Sequence, residues 1–196
     1  MSNPLFDFGD EGPNIANVTR LGYVGSTPTT LKADRDSDSW YTPMVYVESA
    51  RAVMGGIDLD PFSSDLANET IKATRYHTEK NSCLAVDWHA SSVWMNPPYG
   101  KLMTMAADKF LEQYAVKNFE TGIILVNNST DTKWFAKLAE HASAFCFTDH
   151  RIRFYVGDSK ESSTGNTRGQ VFIYFGRDVA KFKQEFAKHG LILTSA

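Results

Sequence analysis

A continuous apolar run at residues 122–126, Gly-Ile-Ile-Leu-Val, constrains the fold of this chain more than any other feature of its sequence. A strand with one face in water alternates apolar and polar residues, whereas an unbroken apolar run is typical of a strand buried on both faces. Such strands occur in parallel sheets that are covered by helices on both sides. The run therefore predicts a strand of a largely parallel α/β sheet.

Further helices and strands alternate along the sequence around this run. Apolar residues at helical spacing predict helices at 43–54, 65–75, 101–117, 131–141 and 179–189. Short apolar runs predict strands at 57–62, 92–95, 144–147, 171–175 and 191–193. Residues 151–156 are predicted to extend the strand at 144–147, which forms a hairpin with the strand at 171–175. The alternation predicts a three-layer α/β fold with a mostly parallel sheet and a C-terminal antiparallel hairpin.

Two of the predicted helices carry specific signals at their ends. Thr42 is the predicted N-cap of the first helix, Pro43 suits its first turn, and Gly55-Gly56 ends it. Asp131 is the predicted N-cap of the helix that ends at His141.

The first 39 residues differ in composition from the rest of the chain. They contain scattered Gly, Pro, Asn and Thr, and little hydrophobic periodicity. This composition predicts a flexible N-terminal tail or arm over 1–39, with one short strand at 17–24. The domain proper is predicted over 40–196.

Composition excludes several classes of protein. The chain has 42% hydrophobic and 22% charged residues, which argues against wholesale disorder. It lacks an apolar run long enough to span a membrane, and its acidic N-terminus lacks the features of a secretory signal, so we expect a cytoplasmic protein. Cys83 and Cys146 form no CxxC pair and the five histidines show no ligand spacing, so we expect no metal site and no disulfide.

The motif that carries chemistry is Asn96-Pro97-Pro98-Tyr99, directly after the predicted strand at 92–95. An exocyclic amine of a nucleobase is a poor nucleophile because its lone pair is delocalised into the ring. The Asn96 side-chain oxygen and the Pro97 carbonyl can hold its two N–H bonds, and the prolines fix the backbone so that both acceptors point at one place. Tyr99 offers an aromatic face for stacking. The alternative interpretation is a turn that merely ends a strand.

Other segments strengthen the first interpretation because they occur in a characteristic order. The set is Trp40-Tyr41-Thr42-Pro43, Leu59-Asp60, Tyr76-His77-Thr78, Asp87-Trp88, Val93 to Gly100, Asp131 to Phe135 and Arg151 to Phe154. In this order the segments resemble the phage-type Dam family of DNA N6-adenine methyltransferases, over residues 40–175. The resemblance implies a class I (Rossmann-like) methyltransferase fold that uses S-adenosylmethionine.

The resemblance also implies roles for individual residues. Asn96, Pro97, Pro98 and Tyr99 match the catalytic motif. Thr42 and Pro43 are expected near the methionine end of the cofactor, and Asp60 is expected to bind its ammonium or ribose. Asp87 and Asp58 are weaker candidates for cofactor binding. Pro61 and Phe62 complete the expected cofactor-binding residues. The last two lie in a Pro-Phe-Ser-Ser segment, where many methyltransferases have a glycine-rich loop.

Basic residues near a long polar loop are candidates for DNA binding. The second half of the chain is more basic than the first, which leaves room for a phosphate-binding surface. Arg151 and Arg153 precede the loop at 157–169, and Lys160 and Arg168 lie within it. Phosphate contact suits all four, and an ordinary solvated surface explains them equally well.

These observations together predict an enzyme that methylates the N6 amine of an adenine flipped out of double-stranded DNA. Alternatives are the same fold acting on cytosine N4, an RNA base or a protein amide. A further alternative is a nucleic-acid-binding module without turnover.

Overall fold

The computed structural model describes residues 40–79, 81–156 and 166–195, and every structural statement below refers to these ranges. The tail predicted over 1–39, its strand at 17–24 and Lys160 lie outside the described residues. None of the helices within these ranges is long and apolar enough to cross a membrane.

The described strands form a large sheet and a short ribbon. They are β1 Trp40–Tyr41, β2 Leu59–Asp60, β3 Arg75–Tyr76, β4 Ser92–Met95, β5 Thr121–Asn127, β6 Ala144–Thr148, β7 Tyr155–Val156, β8 Gln170–Phe175 and β9 Gly190–Thr194. The seven-stranded sheet has the order β3-β2-β4-β5-β8-β6-β9, and β1 pairs with β7 in the ribbon. The neighbours from β3 to β5 are parallel, and those from β5 to β9 are antiparallel.

Helices cover both faces of this sheet, and the apolar side chains of the central strand β5 are buried against both helical layers. The helices are α1 Met44–Met54, α2 Asp65–Ile71, α3 Lys101–Ala115, α4 Lys133–His141 and α5 Val179–Phe186. In β5, Ile123 and Leu125 join the core cluster that contains α1 and α5, whereas Ile124 and Val126 join the cluster that contains α3 and α4. All four side chains are fully buried. The predicted three-layer α/β fold with antiparallel C-terminal strands is confirmed.

The helix ends differ from their predicted positions. Pro43, not Thr42, is the N-cap of α1, and the Thr42 hydroxyl contacts a different partner, described below. The N-cap of α4 is Thr132, so Asp131 lies outside that helix. The predicted helix at 65–75 ends at Ile71, and Arg75 begins β3. Gly55 ends α1, as predicted, and it adopts the left-handed conformation.

The prediction for 151–156 is wrong, because these residues do not extend β6. Tyr155–Val156 instead pair with Trp40–Tyr41. Ile152 and Phe154 are buried, and the ring of Phe154 packs on Trp40 with centroids 5.4 Å apart. This apolar contact draws the segment out of the sheet and fixes the entry into α1.

Candidate active site

The ends of several strands bring the candidate residues to one edge of the sheet. Because β2, β4 and β5 are parallel, Asp60, Asn96 and Asn127 come at or just after their carboxyl ends. The antiparallel β8 begins at the same edge, where Gln170 pairs with Asn127. Ligands of open α/β sheets bind at this edge.

Asn96 is held in one orientation by the segment that precedes α1. Its Nδ2 donates to the Thr42 hydroxyl at 3.2 Å and to the Trp40 carbonyl at 3.5 Å. Thr42 is only 4% exposed, so this contact lies in a protected environment. A side-chain amide has one donor nitrogen and one acceptor oxygen, so these bonds leave Oδ1 of Asn96 as an available acceptor. The β1–β7 ribbon therefore sets the orientation of the motif's first residue.

Tyr99 places its hydroxyl in a buried position without a hydrogen-bond partner among the described residues. Burial raises the pKa of this hydroxyl well above its usual value. Two smaller effects lower that pKa: the nearby backbone of Asn127, which does not reach hydrogen-bond geometry, and the charge of Arg168. Tyr99 is therefore a neutral aromatic side chain at physiological pH.

Asp60 is a buried carboxyl group without a cationic partner in the described part of the chain. It is 3% exposed, and its Oδ1 accepts from the Phe62 N–H at 3.2 Å. Burial raises its pKa from 3.8 to about 7, although the Phe62 N–H and the Ser63 hydroxyl lower it in part. A carboxyl in this state is suited to a ligand that supplies hydroxyl or ammonium donors.

The glycine-free segment after Asp60 forms a turn that leads into α2. Pro61 is buried and Phe62 is half-buried. The Ser64 hydroxyl caps α2 by accepting from Ala67 N at 3.0 Å. His77 lies beside this turn, since its N–H donates to the Asp60 carbonyl and its carbonyl accepts from Ser63 N. Sequence reasoning gave His77 no role, because β3, which precedes it, was not predicted.

Asp58 and Asp87 do not reach the edge that carries Asp60 and Asn96. Asp58 precedes β2 and lies beside the start of β4, where it accepts from Ser91 N at 2.9 Å and pairs with Arg75 at 3.4 Å. Partial burial raises its pKa, but Ser91 and Arg75 lower it further, so the net shift is downward. Asp87 is exposed and accepts from Gln113 near the end of α3. We leave both out of the proposed site.

A cleft of about 420 Å³ opens next to the Asn-Pro-Pro-Tyr turn. Its walls come from the β1 strand, the start of α3, the loop after β5 and the segment before β8; the lining residues are Trp40, Tyr99, Gly100, Met103, Asn127, Ser129, Thr132, Trp134, Asn166, Thr167 and Arg168. Trp134 is half-buried and borders this cleft, whereas Phe135, the next residue of α4, is buried. The cleft combines aromatic side chains with hydrogen-bonding groups, as ligand sites do.

The predicted DNA-binding arginines lie around the same edge. Arg151, Arg153 and Arg168 are exposed, and the Arg151 guanidinium lies so close to Gly169 that a Cβ there would meet its Nη1 at 2.7 Å. Exposed arginines at 151 and 153 alternate with buried Ile152 and Phe154. This period of two directs both basic side chains away from the core.

Gln170 connects the cleft to these basic segments, and sequence reasoning missed it. It is 1% exposed, and its Nε2 donates to the Arg168 carbonyl at 2.8 Å, Asn127 Oδ1 at 3.2 Å and Asn166 Oδ1 at 3.2 Å. Its Oε1 accepts from Ile152 N at 3.2 Å. A lone glutamine before an apolar strand gives no signal of this role, because two of its partners, Asn127 and Ile152, come from distant segments.

Neither metal ligation nor a reactive thiol is indicated by the described residues. They contain no group of three or more His, Cys, Asp or Glu side chains arranged to hold a metal. Cys83 and Cys146 are both buried and free, and burial raises the pKa of each thiol to about 12.

The sheet order and the edge that collects these residues define a Rossmann-like α/β fold, as expected from the sequence. Residues 28–189 match the model of a family described as DNA N-6-adenine-methyltransferase (Dam). The match covers most of the chain, so the chain belongs to the Dam family, a family of enzymes.

Other comparisons add little to this assignment. A solved structure from Pyrococcus horikoshii, described provisionally as an RNA methyltransferase, is 15% identical to the chain, with a TM-score of 0.42, and the match covers 74% of this chain and 90% of that one. A similarity this low carries no argument about function. No curated protein sequence matches the chain significantly.

Proposed function

We propose that this chain transfers a methyl group from S-adenosylmethionine to the N6 amine of an adenine flipped out of double-stranded DNA. The observation that carries the proposal is the orientation of Asn96. Its Nδ2 is engaged by Thr42 and Trp40, so its oxygen is left to accept an N–H from a substrate amine. A turn that merely ended a strand would need no such fixed acceptor.

The chemical step requires positioning more than proton transfer. Asn96 Oδ1 and the Pro97 carbonyl hold the two N–H bonds of the amine, which draws its nitrogen towards tetrahedral geometry. Bound S-adenosylmethionine supplies a methyl group on a positively charged sulfur. The amine held by these two acceptors would take the methyl group and lose a proton to solvent, and the sulfur would keep the electron pair of the broken carbon–sulfur bond. No strong general base is needed, because the contribution of the protein is orientation and electrostatics.

The residues at the β2 end fit this cofactor. Asp60 offers a buried carboxylate to the ammonium or ribose hydroxyls. No described residue gives it a cationic partner, and a bound ligand with an ammonium group would supply one. Phe62 is half-buried beside it and can pack on the cofactor. Thr42 and Pro43 adjoin Asn96, as expected for the methionine end, where the methyl group must meet the amine.

A duplex substrate requires phosphate contacts and room for the extruded base. The cleft beside Tyr99 provides the room, with the aromatic ring of Tyr99 as the stacking surface. Arg151, Arg153 and Arg168 around the same edge are proposed to contact phosphates, together with Lys160 of the loop.

Expression in a bacterial host that lacks adenine methylation tests the proposal. Sequencing that detects modified bases is expected to find N6-methyladenine in the host DNA when the chain is expressed. An Asn96→Ala variant at equal expression provides the background. Methylation at cytosine N4, or unmodified DNA with a folded protein, would contradict the proposal.

Arg168→Ala is expected to weaken DNA binding and to reduce the slope of log K against log salt by about one unit, because one phosphate contact is lost. Binding isotherms at several salt concentrations measure the slope. Arg177→Ala is the matched control, since Arg177 is exposed and follows β8 at the opposite edge of the sheet. Equal slopes for both variants would remove Arg168 from the DNA-binding surface.

Tyr99→Phe is expected to keep methyl transfer and to raise the free energy of unfolding by about 1 kcal/mol, because it removes a buried hydroxyl that has no partner among the described residues. Tyr99→Ala removes the ring as well and is expected to lose most of the activity. Urea unfolding and a methyl-transfer assay separate the two effects. A large loss of activity in the phenylalanine variant would show that the hydroxyl itself has a substrate partner.

A further inference from the structure

Asn127 presents a hydrogen-bond donor to the cleft. It is the last residue of β5, it is half-buried, and it borders the cleft together with Tyr99. Its Oδ1 already accepts from Gln170 Nε2 at 3.2 Å. An amide has only one oxygen, so its nitrogen carries the two hydrogens that remain for a ligand. No residue of the described ranges accepts a hydrogen bond from that nitrogen.

Gln170 fixes the orientation of the Asn127 side-chain amide. Its oxygen accepts from Ile152 N, and its nitrogen faces three oxygens, those of Arg168, Asn127 and Asn166. Reversing its amide would set an oxygen against three acceptors and a nitrogen against an N–H. Because Gln170 is 1% exposed, water cannot compensate for that reversal.

The side-chain amide of Asn96 is fixed in the opposite orientation. Its nitrogen is engaged by Thr42 and Trp40, so it presents an oxygen. Asn96 directly follows β4 and Asn127 ends the parallel neighbour β5, with Met95 in register with Ile124. Asn96 is therefore level with Leu125, and Asn127 lies two residues further along β5. The rise along the strand and the lateral spacing of the strands together place the two Cα atoms roughly 8 Å apart. Asn96 itself does not line the cleft, but its hydrogen-bond partner Trp40 does, so both asparagines lie at the same end of the sheet beside the cleft.

A site with an acceptor beside a donor selects one class of base. Adenine carries its N6 amine next to the unprotonated N1, and cytosine carries N4 next to N3. Guanine and thymine have the reverse pattern, a carbonyl next to a ring N–H, so each would set like groups against Asn96 and Asn127. Because an unpaired polar group in a closed site is costly, such a site rejects the reverse pattern.

We propose that Asn127, oriented by Gln170, donates a hydrogen bond to the N1 ring nitrogen of the target adenine and is a specificity-determining residue. The inference rests on the proposed function. It adds a named atom of the base, a donor outside the Asn-Pro-Pro-Tyr motif, and a buried positioning residue for that donor.

The test uses duplexes whose target base is adenine or 1-deazaadenine, in which a C–H replaces N1. The parent chain is expected to lose about tenfold in kcat/KM on the deaza substrate, the effect of one lost hydrogen bond. Asn127→Ala is expected to discriminate against the deaza substrate about tenfold less than the parent does. Because altered base pairing and amine reactivity act on parent and variant alike, they cancel in this comparison.

Asn127→Asp is a second variant that keeps the fold intact. It retains an oxygen for Gln170 but replaces the donor with an acceptor, so its activity on adenine is expected to fall well below that of Asn127→Ala. Asn128→Asp, with the same charge change at an adjacent exposed residue outside the cleft, measures the effect of charge alone. Thermal unfolding verifies that each variant is folded.

The outcomes separate this inference from the function on which it rests. If the parent methylates adenine and Asn127→Ala discriminates against 1-deazaadenine as strongly as the parent does, the inference is wrong and the function stands. Equal activity of Asn127→Asp and Asn128→Asp would also overturn it. If the parent methylates no adenine, the proposed function fails and the inference fails with it.

Discussion

Asn96→Ala is expected to lose methyl transfer by about 100- to 1000-fold while its affinity for S-adenosylmethionine stays unchanged. Removing one preorganised hydrogen-bond partner of a transition state typically costs about 3 kcal/mol. The Asn96 oxygen is such a partner, because Thr42 and Trp40 hold the amide with its oxygen free. Single-turnover methyl transfer measures the chemical step, and calorimetry measures the cofactor affinity.

A matched pair at Thr42 tests whether orientation is the cause. Thr42→Ser keeps the hydroxyl that accepts from Asn96 and should keep the activity. Thr42→Val has a similar size without the hydroxyl, so it should lower the single-turnover rate. Wild-type turnover in Asn96→Ala would remove Asn96 from the chemistry, and equal rates for the two Thr42 variants would remove the orienting role.

Asp60→Asn is expected to weaken S-adenosylmethionine binding by about 10- to 100-fold above pH 7, because a hydrogen bond to a charged group is lost. In the parent the pKa of Asp60 is raised to about 7 by burial, so much of the free protein carries a protonated carboxyl at neutral pH. Ligand donors favour the ionised form, so binding should strengthen as pH rises through 7 and should release a proton. Calorimetry in buffers of different ionisation enthalpy measures this release.

Stability should respond to Asp60 with the opposite sign. The folded pKa lies above the usual value of 3.8, so the cofactor-free folded state binds the extra proton and its free energy of unfolding decreases as pH rises from about 4 to 7. A shift of about three units corresponds to roughly 4 kcal/mol. Asp60→Asn should remove this decrease, so its free energy of unfolding at pH 8 should be higher than that of the parent. The neighbouring Cys83 thiol stays neutral over this range.

Asp58→Asn is the control for the cofactor affinity and the proton release. Asp58 has the same side chain two residues earlier, but it lies near the opposite edge, beside Arg75 and Ser91. Its substitution should leave cofactor affinity and proton release unchanged. Unchanged affinity in Asp60→Asn, or an equal loss in both variants, would contradict the role of Asp60.

The sequence predicted those parts of the fold that depend on local patterns. The run at 122–126 is buried on both faces because β5 lies between two helical layers, and its composition already indicated that. The motif at 96–99 was found because a polar turn with two prolines directly follows an apolar strand. Both signals are contained in fewer than ten consecutive residues.

The remaining features depend on contacts between distant segments. Residues 151–156 have the alternation of a strand, which does not reveal that their partner is Trp40–Tyr41. Asn127 and Gln170 look ordinary in the sequence and acquire a role only because β5 and β8 pair. Asp58 and Asp60 are alike in sequence, but β2 is only two residues long, so they lie at opposite ends of it.

The most direct test of the central claim follows the methyl group itself. The purified chain is incubated with a DNA duplex and S-adenosylmethionine that carries an isotopically labelled methyl group, and the DNA is then digested to nucleosides and analysed by mass spectrometry. We expect the label in N6-methyldeoxyadenosine, with at least a 100-fold decrease for Asn96→Ala. Label in another nucleoside, or equal labelling by the parent and the Asn96→Ala variant, would contradict the assignment of the Asn-Pro-Pro-Tyr turn as an adenine N6 methylation site.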